Sequence, residues 1–322
     1  MKKKIAVLSG GYSEEIIISR KSVQTILDHL DPERFEPFHI SVTKEGWFYE
    51  KDHSPVKKAD FSIVADGITV QFDFVYIMVH GTPGEDGLLQ AYFDLLQIPY
   101  SSSSQFASTL TFNKWACNAL LRDQGYKCAK AILLRKNSSY AEQEIIEQLK
   151  LPLFVKPNDG GSSFGVTKVL NTDQLKPAIN LAFEHGSEVV LESMLSGTEI
   201  TAGVVQLDNE IIALPVTEIV SENDFFDYKA KYEGKSSEIT PARLSETTTK
   251  LVQNTTKSIY KLLGLRGFVR IDYIVENEIP NVIEINTIPG MSPQSVIPQQ
   301  LQEKGLILKD VLTKLILSQI DN

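Results

Sequence analysis

The stretch Phe268-Val-Arg-Ile-Asp-Tyr-Ile-Val-Glu-Asn-Glu-Ile-Pro-Asn-Val-Ile-Glu-Ile-Asn286 carries the pattern from which the fold is read. Its apolar alternation predicts two strands, over residues 268–275 and 281–285, joined through residues 276–280. Side chains alternate between the two faces of a strand. Arg270 and Asp272 therefore share a face, and so do Glu284 and Asn286. The hairpin register that sets Arg270 opposite Asn286 also sets Asp272 opposite Glu284, and any even shift keeps all four together. Two carboxylates and an amide oxygen on one face suit Mg²⁺, a hard cation that binds oxygen ligands and substrate phosphates. The same residues also describe a solvated polar face with a surface ion pair, and alternation alone does not choose between the two.

Upstream, residues 221–240 are polar with few aliphatics and read as a long mobile loop, a length that is usually functional or disordered. Within it, Asp227-Tyr-Lys-Ala-Lys-Tyr232 describes either a lid that closes over phosphates or a solvated basic stretch. Further upstream, a strand over residues 153–156 runs into Lys156-Pro-Asn-Asp-Gly-Gly-Ser-Ser-Phe-Gly165. Such a loop can aim backbone N–H groups at a phosphate while the lysine adds a point charge. It is neither a Walker A loop nor GxGxxG, and Gly-Gly-Ser-Ser is equally an ordinary turn. Further strands are predicted over 131–134 and 188–192, and helices over 109–124 and 306–320.

At the N-terminal end, the strand Ile5-Ala-Val-Leu8 breaks at Gly10-Gly11-Tyr-Ser-Glu-Glu15 before a helix that reaches about residue 30. That loop lies at the carboxyl edge of the sheet, where α/β proteins bind ligands. Glu15 would also be favourable there simply through the helix dipole. A buried strand over 74–79 ends in His80-Gly-Thr-Pro-Gly-Glu-Asp-Gly87, a turn by composition, and a helix over 88–97 follows. This strand–loop–helix alternation predicts a parallel α/β layer, with a first boundary at the serines of 101–104.

The chain's 322 residues suffice for two or three domains, and 42% hydrophobic with 23% charged residues is ordinary globular composition. A net charge of -9 argues against nucleic-acid and anionic-membrane partners, although local basic groups can still hold a nucleotide. The two cysteines, Cys117 and Cys128, fit neither a redox pair nor a zinc site and read as free thiols of a reducing compartment. Met1-Lys-Lys-Lys4 looks like the start of a signal peptide, but the apolar run after it stops at Ser9-Gly10-Gly11, too short for a signal or a membrane span. The expectation is a cytoplasmic protein.

Taken in order, these segments resemble the D-alanine–D-alanine ligase family of the ATP-grasp superfamily over nearly the whole chain. The shared patterns are Gly-Gly-x-Ser-x-Glu (10–15), His-Gly-x-x-Gly-Glu-Asp-Gly (80–87), Lys-Pro…Gly-Ser-Ser-x-Gly (156–165), Tyr-x-x-Lys-Tyr (228–232), Arg-Ile-Asp (270–272) and Glu-x-Asn-Thr-x-Pro-Gly-Met (284–291). The resemblance implies an α/β fold: an N-terminal doubly wound parallel-sheet domain (1–104), then a two-part α+β ATP-grasp domain (105–195 and 196–322) that clasps ATP.

It also implies roles. Lys114 and Lys156 would contact ATP phosphates, and Lys231 would reach the terminal phosphate from the lid. Glu192, Ser193 and Leu195 would hold the adenine, and Glu199 the ribose. Asp272, Glu284 and Asn286 would carry two Mg²⁺ ions, for which Mn²⁺ can stand in. Glu15 would bind the first D-alanine's amino group and, with Ser162 and Tyr232, fix the closed site. Arg270 and the Gly290 backbone would line an oxyanion hole, and His80 and Ser295 would serve substrate binding. Segment 192–195 reads Glu-Ser-Met-Leu where many relatives place a lysine after the glutamate, a change that backbone contacts to the base would survive.

The implied reaction joins two D-alanines with ATP through a D-alanyl phosphate, for peptidoglycan precursors, in an enzyme that is usually a homodimer. The alternative is a relative that uses D-lactate or D-serine as second substrate; Tyr232 after the lid lysine favours D-alanine. A nicotinamide-dependent dehydrogenase would need GxGxxG after the first strand, which is absent. A catalytically dead nucleotide binder has no reason to keep Arg270, Asp272, Glu284 and Asn286 together.

Overall fold

A computed structural model of the chain describes residues 1–12, 16–160, 164–221 and 236–320. Three larger sheets organise it. The first is built from β1 (Lys3–Gly10), β2 (Phe35–Val42), β3 (Trp47–Tyr49), β4 (Ser54–Pro55) and β7 (Phe74–Ile77), in the order β4-β3-β2-β1-β7, with a small hairpin of β5 (Ile63–Ala65) and β6 (Ile68–Val70) beside it. The parallel core expected from the alternation is present as β2-β1-β7, and β3 and β4 extend it antiparallel at one edge. Helix α1 (Ile16–His29) connects β1 to β2. Gly10 makes this crossing possible: its φ of 105° is the left-handed region that glycine tolerates, and a Cβ there would collide with the Val42 carbonyl.

After α2 (Leu88–Leu96), the single helix predicted over 109–124 is two: α3 (Gln105–Phe112) and α4 (Lys114–Asp123). Asn113 causes the break. Its backbone is extended and its side chain accepts from the Ala116 N–H, so it ends one helix and caps the next.

The second sheet holds β8 (Ala131–Arg135), β9 (Leu153–Pro157), β10 (Thr167–Val169) and β11 (Glu188–Ser193) in the antiparallel order β10-β9-β11-β8, covered by α5 (Glu142–Leu149) and α6 (Leu175–His185). The third runs β14-β13-β12-β15-β16, from β12 (Thr198–Leu207), β13 (Glu210–Ser221), β14 (Ser236–Ile239), β15 (Val269–Glu276) and β16 (Ile279–Asn286). The stretch read as one loop over 221–240 is thus strand at both ends, because Ser221 closes β13 and residues 236–239 pair with it. Helix α7 (Glu246–Leu262), capped by the Ser245 hydroxyl, packs with α3 and α4 on the sheet's inner face.

Helices α8 (Val296–Lys304) and α9 (Leu308–Ile320) return the chain to its start. Val311, Leu312 and Ile316 are buried in the same apolar cluster as Ile5, Val7 and Ile26. Removing that apolar surface from water, at about 25 cal/mol per Å², holds the last helix on the first layer. Among the described residues no helix is long and apolar enough to cross a membrane.

Candidate active site

One cavity of about 1770 Å³ opens between the three sheets, and every described residue to which the resemblance gives a role lies on its wall. The hairpin β15–β16 forms its floor. Arg270 pairs with Asn286 and Asp272 with Glu284, the register read from the sequence. The turn is tighter than expected, only Asn277 and Glu278, both with positive φ. A two-residue turn followed without interruption would put Asp272 opposite Ile283, with Glu284 and Asn286 on the other face. A β-bulge corrects this: the pairing shifts by one between Asp272 and Tyr273, and Ile283 has no partner across the ladder. Its carbonyl accepts instead from the buried Asn118 amide of α4, at 3.2 Å.

Asp272 is the centre of this floor. Arg270 grips it with Nε at 2.9 Å and Nη2 at 2.8 Å, Thr201 donates its hydroxyl at 2.6 Å, and the Asn286 amide donates at 3.1 Å. Burial works against the Arg270 charge, but the carboxylates of Asp272, Glu284 and Glu85 outweigh it and hold the guanidinium above its ordinary pKa. Lys114 stands over Glu284 at 3.8 Å and donates to the Gly160 carbonyl at 2.6 Å. The Asn158 side chain and carbonyl take the N–H groups of Trp115 and Lys114, which fastens the start of α4 to the loop after β9. Among the described residues no three His, Cys, Asp or Glu side chains gather as a metal site, so any cation on the floor would rest on the two carboxylates and the Asn286 oxygen.

On the second sheet, Lys156 of β9 meets Glu192 of β11 at 2.7 Å, diagonally across neighbouring strands, both nearly buried. The other Glu192 oxygen, Oε1, is buried without a hydrogen-bond partner among the described residues. Ser193 is tied to Lys130 through its N–H and its hydroxyl, which fixes the strand end leading into Met194 and Leu195. Glu199 lies on the same wall.

At the opposite end, His80 bonds the Ile288 carbonyl through Nδ1 at 2.8 Å, and Glu85 accepts from the N–H groups of Gly81 and Ile288. Met291 N–H donates to Ser22 of α1. These bonds lash the loop carrying Gly290 to the first layer. Ser295 precedes α8 and its hydroxyl meets that of Ser292 at 2.8 Å. Gly290 lies so close that a Cβ would press on Ser295 Oγ at 2.9 Å. Glu15, Ser162, Lys231 and Tyr232 lie outside the described residues.

Models of the D-ala D-ala ligase N-terminus and C-terminus match residues 4–103 and 120–317. The chain belongs to the D-alanine–D-alanine ligase family. A D-alanine–D-alanine ligase of Parabacteroides distasonis is 47% identical over 100% of this chain and 99% of its own. The solved D-alanyl-alanine synthetase A of Vibrio cholerae superposes with a TM-score of 0.90 at 27% identity, covering 100% of this chain and 99% of the other. The VanG D-Ala:D-Ser ligase of Enterococcus faecalis follows at 0.87 and 32%, with 98% of each chain covered.

Within the family frame, two wall residues, Thr201 and Glu238, and one buried support behind the wall, Gln300, escaped sequence reading. Thr201, which holds Asp272, sits two positions after Glu199 on the same strand face, a signal that period-two reading could have found. Gln300 is fully buried, accepts from Gly203 N–H and donates to the Thr201 carbonyl and Thr217 hydroxyl, pinning α8 to β12 and β13. It fits because Gly203 has no side chain; a Cβ there would strike its carboxamide oxygen. Glu238 stands on β14 beside Ile219 and Gln299, where nothing in the sequence marks it.

Proposed function

We propose that the protein joins two D-alanine molecules into D-alanyl-D-alanine at the expense of ATP, in the cytoplasm, for peptidoglycan precursor synthesis. The observation that carries this reading is the facing of two walls in one cavity: the Asp272–Glu284–Asn286 floor, and the Lys156–Glu192 pair with Lys114 above it. The partnerless Glu192 oxygen suits a base amino group, and the backbone of 193–195 adjoins it. Glu199 would take the ribose, and Lys114, Lys156 and, from the lid, Lys231 the phosphates.

The floor's donors are all oxygen, as Mg²⁺ requires. Asp272, Glu284 and Asn286 would hold two such ions, with Mn²⁺ as a substitute, in place of the protein donors that now neutralise Asp272. Bound there, the cations would offset charge on the transferring phosphoryl group.

The first D-alanine, its amino group on Glu15, attacks the γ-phosphorus through a carboxylate oxygen and releases ADP. The second D-alanine's amine then attacks the acyl carbon, losing a proton as phosphate leaves. Arg270 and the Gly290 N–H would face the oxyanion of that step, a donor set whose members are typically worth about 100–1,000-fold each. Ser295 would hold the second carboxylate, and His80 would brace the substrate end. Ser162 and Tyr232 complete the closed site with Glu15. The division at 1–104, 105–195 and 196–322 belongs to this reading. So does a homodimer, for which exposed Leu88, Leu95 and Phe106 on α2 and α3 offer an apolar face.

The test is phosphate release from ATP and Mg²⁺ with D-alanine alone, L-alanine alone, and D-alanine plus D-lactate, with products weighed by mass spectrometry. D-Alanyl-D-alanine from D-alanine alone is the expected result. A depsipeptide as the main product at neutral pH would move the chain to the D-lactate branch.

A further inference from the structure

Glu238 lines the reaction cavity on β14, paired in register with Ile219, and neither the metal floor nor the nucleotide wall uses it. Its carboxylate accepts from Gln299 Nε2 at 2.8 Å, and the same amide donates to the Gln294 carbonyl at 2.7 Å. This places the carboxylate next to the turn from Gln294 to Ser295 at the head of α8. Among the described residues Glu238 has no ion-pair partner, because the Arg270 guanidinium, whose charge reaches it, is forked on Asp272. Although Glu238 is exposed, desolvation on its cavity side raises its pKa against the opposing pull of Gln299 and Arg270.

We propose that Glu238 recognises the α-ammonium group of the second amino acid and thereby selects an amino acid over a hydroxy acid. An ammonium leaving water for a cavity needs an opposite charge to offset its desolvation. The carboxylate supplies it. A hydroxy acid brings no positive charge to this position, so the carboxylate would lose water for nothing in return. This second-subsite role rests on the proposed ligase reading and names what distinguishes amine from alcohol on the described wall, apart from the lid.

The experiment is a competition in which the enzyme, ATP and Mg²⁺ meet D-alanine and D-lactate together, with the D-alanyl-D-lactate to D-alanyl-D-alanine ratio read by mass. Glu238→Gln keeps the size and the hydrogen bond to residue 299 and should raise that ratio about tenfold, with a similar rise in the KM of the second D-alanine. Gln299→Lys, which offers the same carboxylate a protein ammonium, should shift the ratio the same way. It keeps the proposal testable if Glu238→Gln folds poorly. A purely structural role would lower both products together. An unchanged ratio in both variants overturns the proposal. Failure of the unmodified enzyme to form any D-alanyl product defeats the ligase reading instead, a result independent of either variant.

Discussion

Lys156 and Glu192 face each other across two neighbouring strands, while Arg270 and Asp272 share one. Both are cation–carboxylate couples on the wall of the same cavity, but they are built differently. The first is nearly buried, and one Glu192 oxygen has no hydrogen-bond partner among the described residues. The second is more open, and Asp272 keeps donors from Thr201 and Asn286 besides the guanidinium. The wall of Lys156 and Glu192 therefore depends on its pair for stability. The hairpin floor spreads the load over several donors and is freer to exchange them for ligands.

That contrast can be broken most forcefully on the floor. Glu284→Gln should cut kcat by about 1,000-fold, roughly 4 kcal/mol, and raise the Mg²⁺ concentration needed for half-maximal rate. A normal rate at low Mg²⁺ would remove Glu284 from the metal set. Lys156→Met should cost about 3 kcal/mol of folding stability by urea titration, because it leaves Glu192 buried and unpaired. Arg270→Met should cost only about 1 kcal/mol, since two donors stay on Asp272, yet slow turnover about 100-fold. Equal stability losses would erase the distinction between the walls.

The smallest effect lies outside both. Arg243 forks onto Glu218 at the base of the 222–235 segment and holds that carboxyl below its usual pKa. A lowered folded pKa stabilises above the unfolded value, about 4.3, and the benefit fades as pH falls through the folded one. With Arg243 largely exposed, wild type should exceed Glu218→Gln by only about 1 kcal/mol at pH 7, and the gap should close below about pH 4 in thermal melts.

The floor was readable because strand alternation is strict: Arg270, Asp272, Glu284 and Asn286 fall together wherever the register is even. The turn and bulge were not, because they cancel one another and leave the same pairs. The helix break at Asn113 was missed because apolar periodicity continues through it, while the signal is one side chain bonding its own backbone. Glu238 and Gln300 acquire meaning only from β13–β14 pairing and from α8 folding back on Gly203, contacts between segments distant in sequence. The family pattern supplied the order of the motifs; it said nothing of these supports.

The unpaired Ile283 gives the hairpin something like a reading frame. Losing Ile283 itself would let the two-residue turn run straight into the same pairs, whereas losing one of the paired residues 279–282 with the bulge kept would leave every motif residue in the chain yet carry Glu284 and Asn286 out of the floor. A one-residue loss in natural variants should thus be tolerated at the bulge and not in the paired strand beside it.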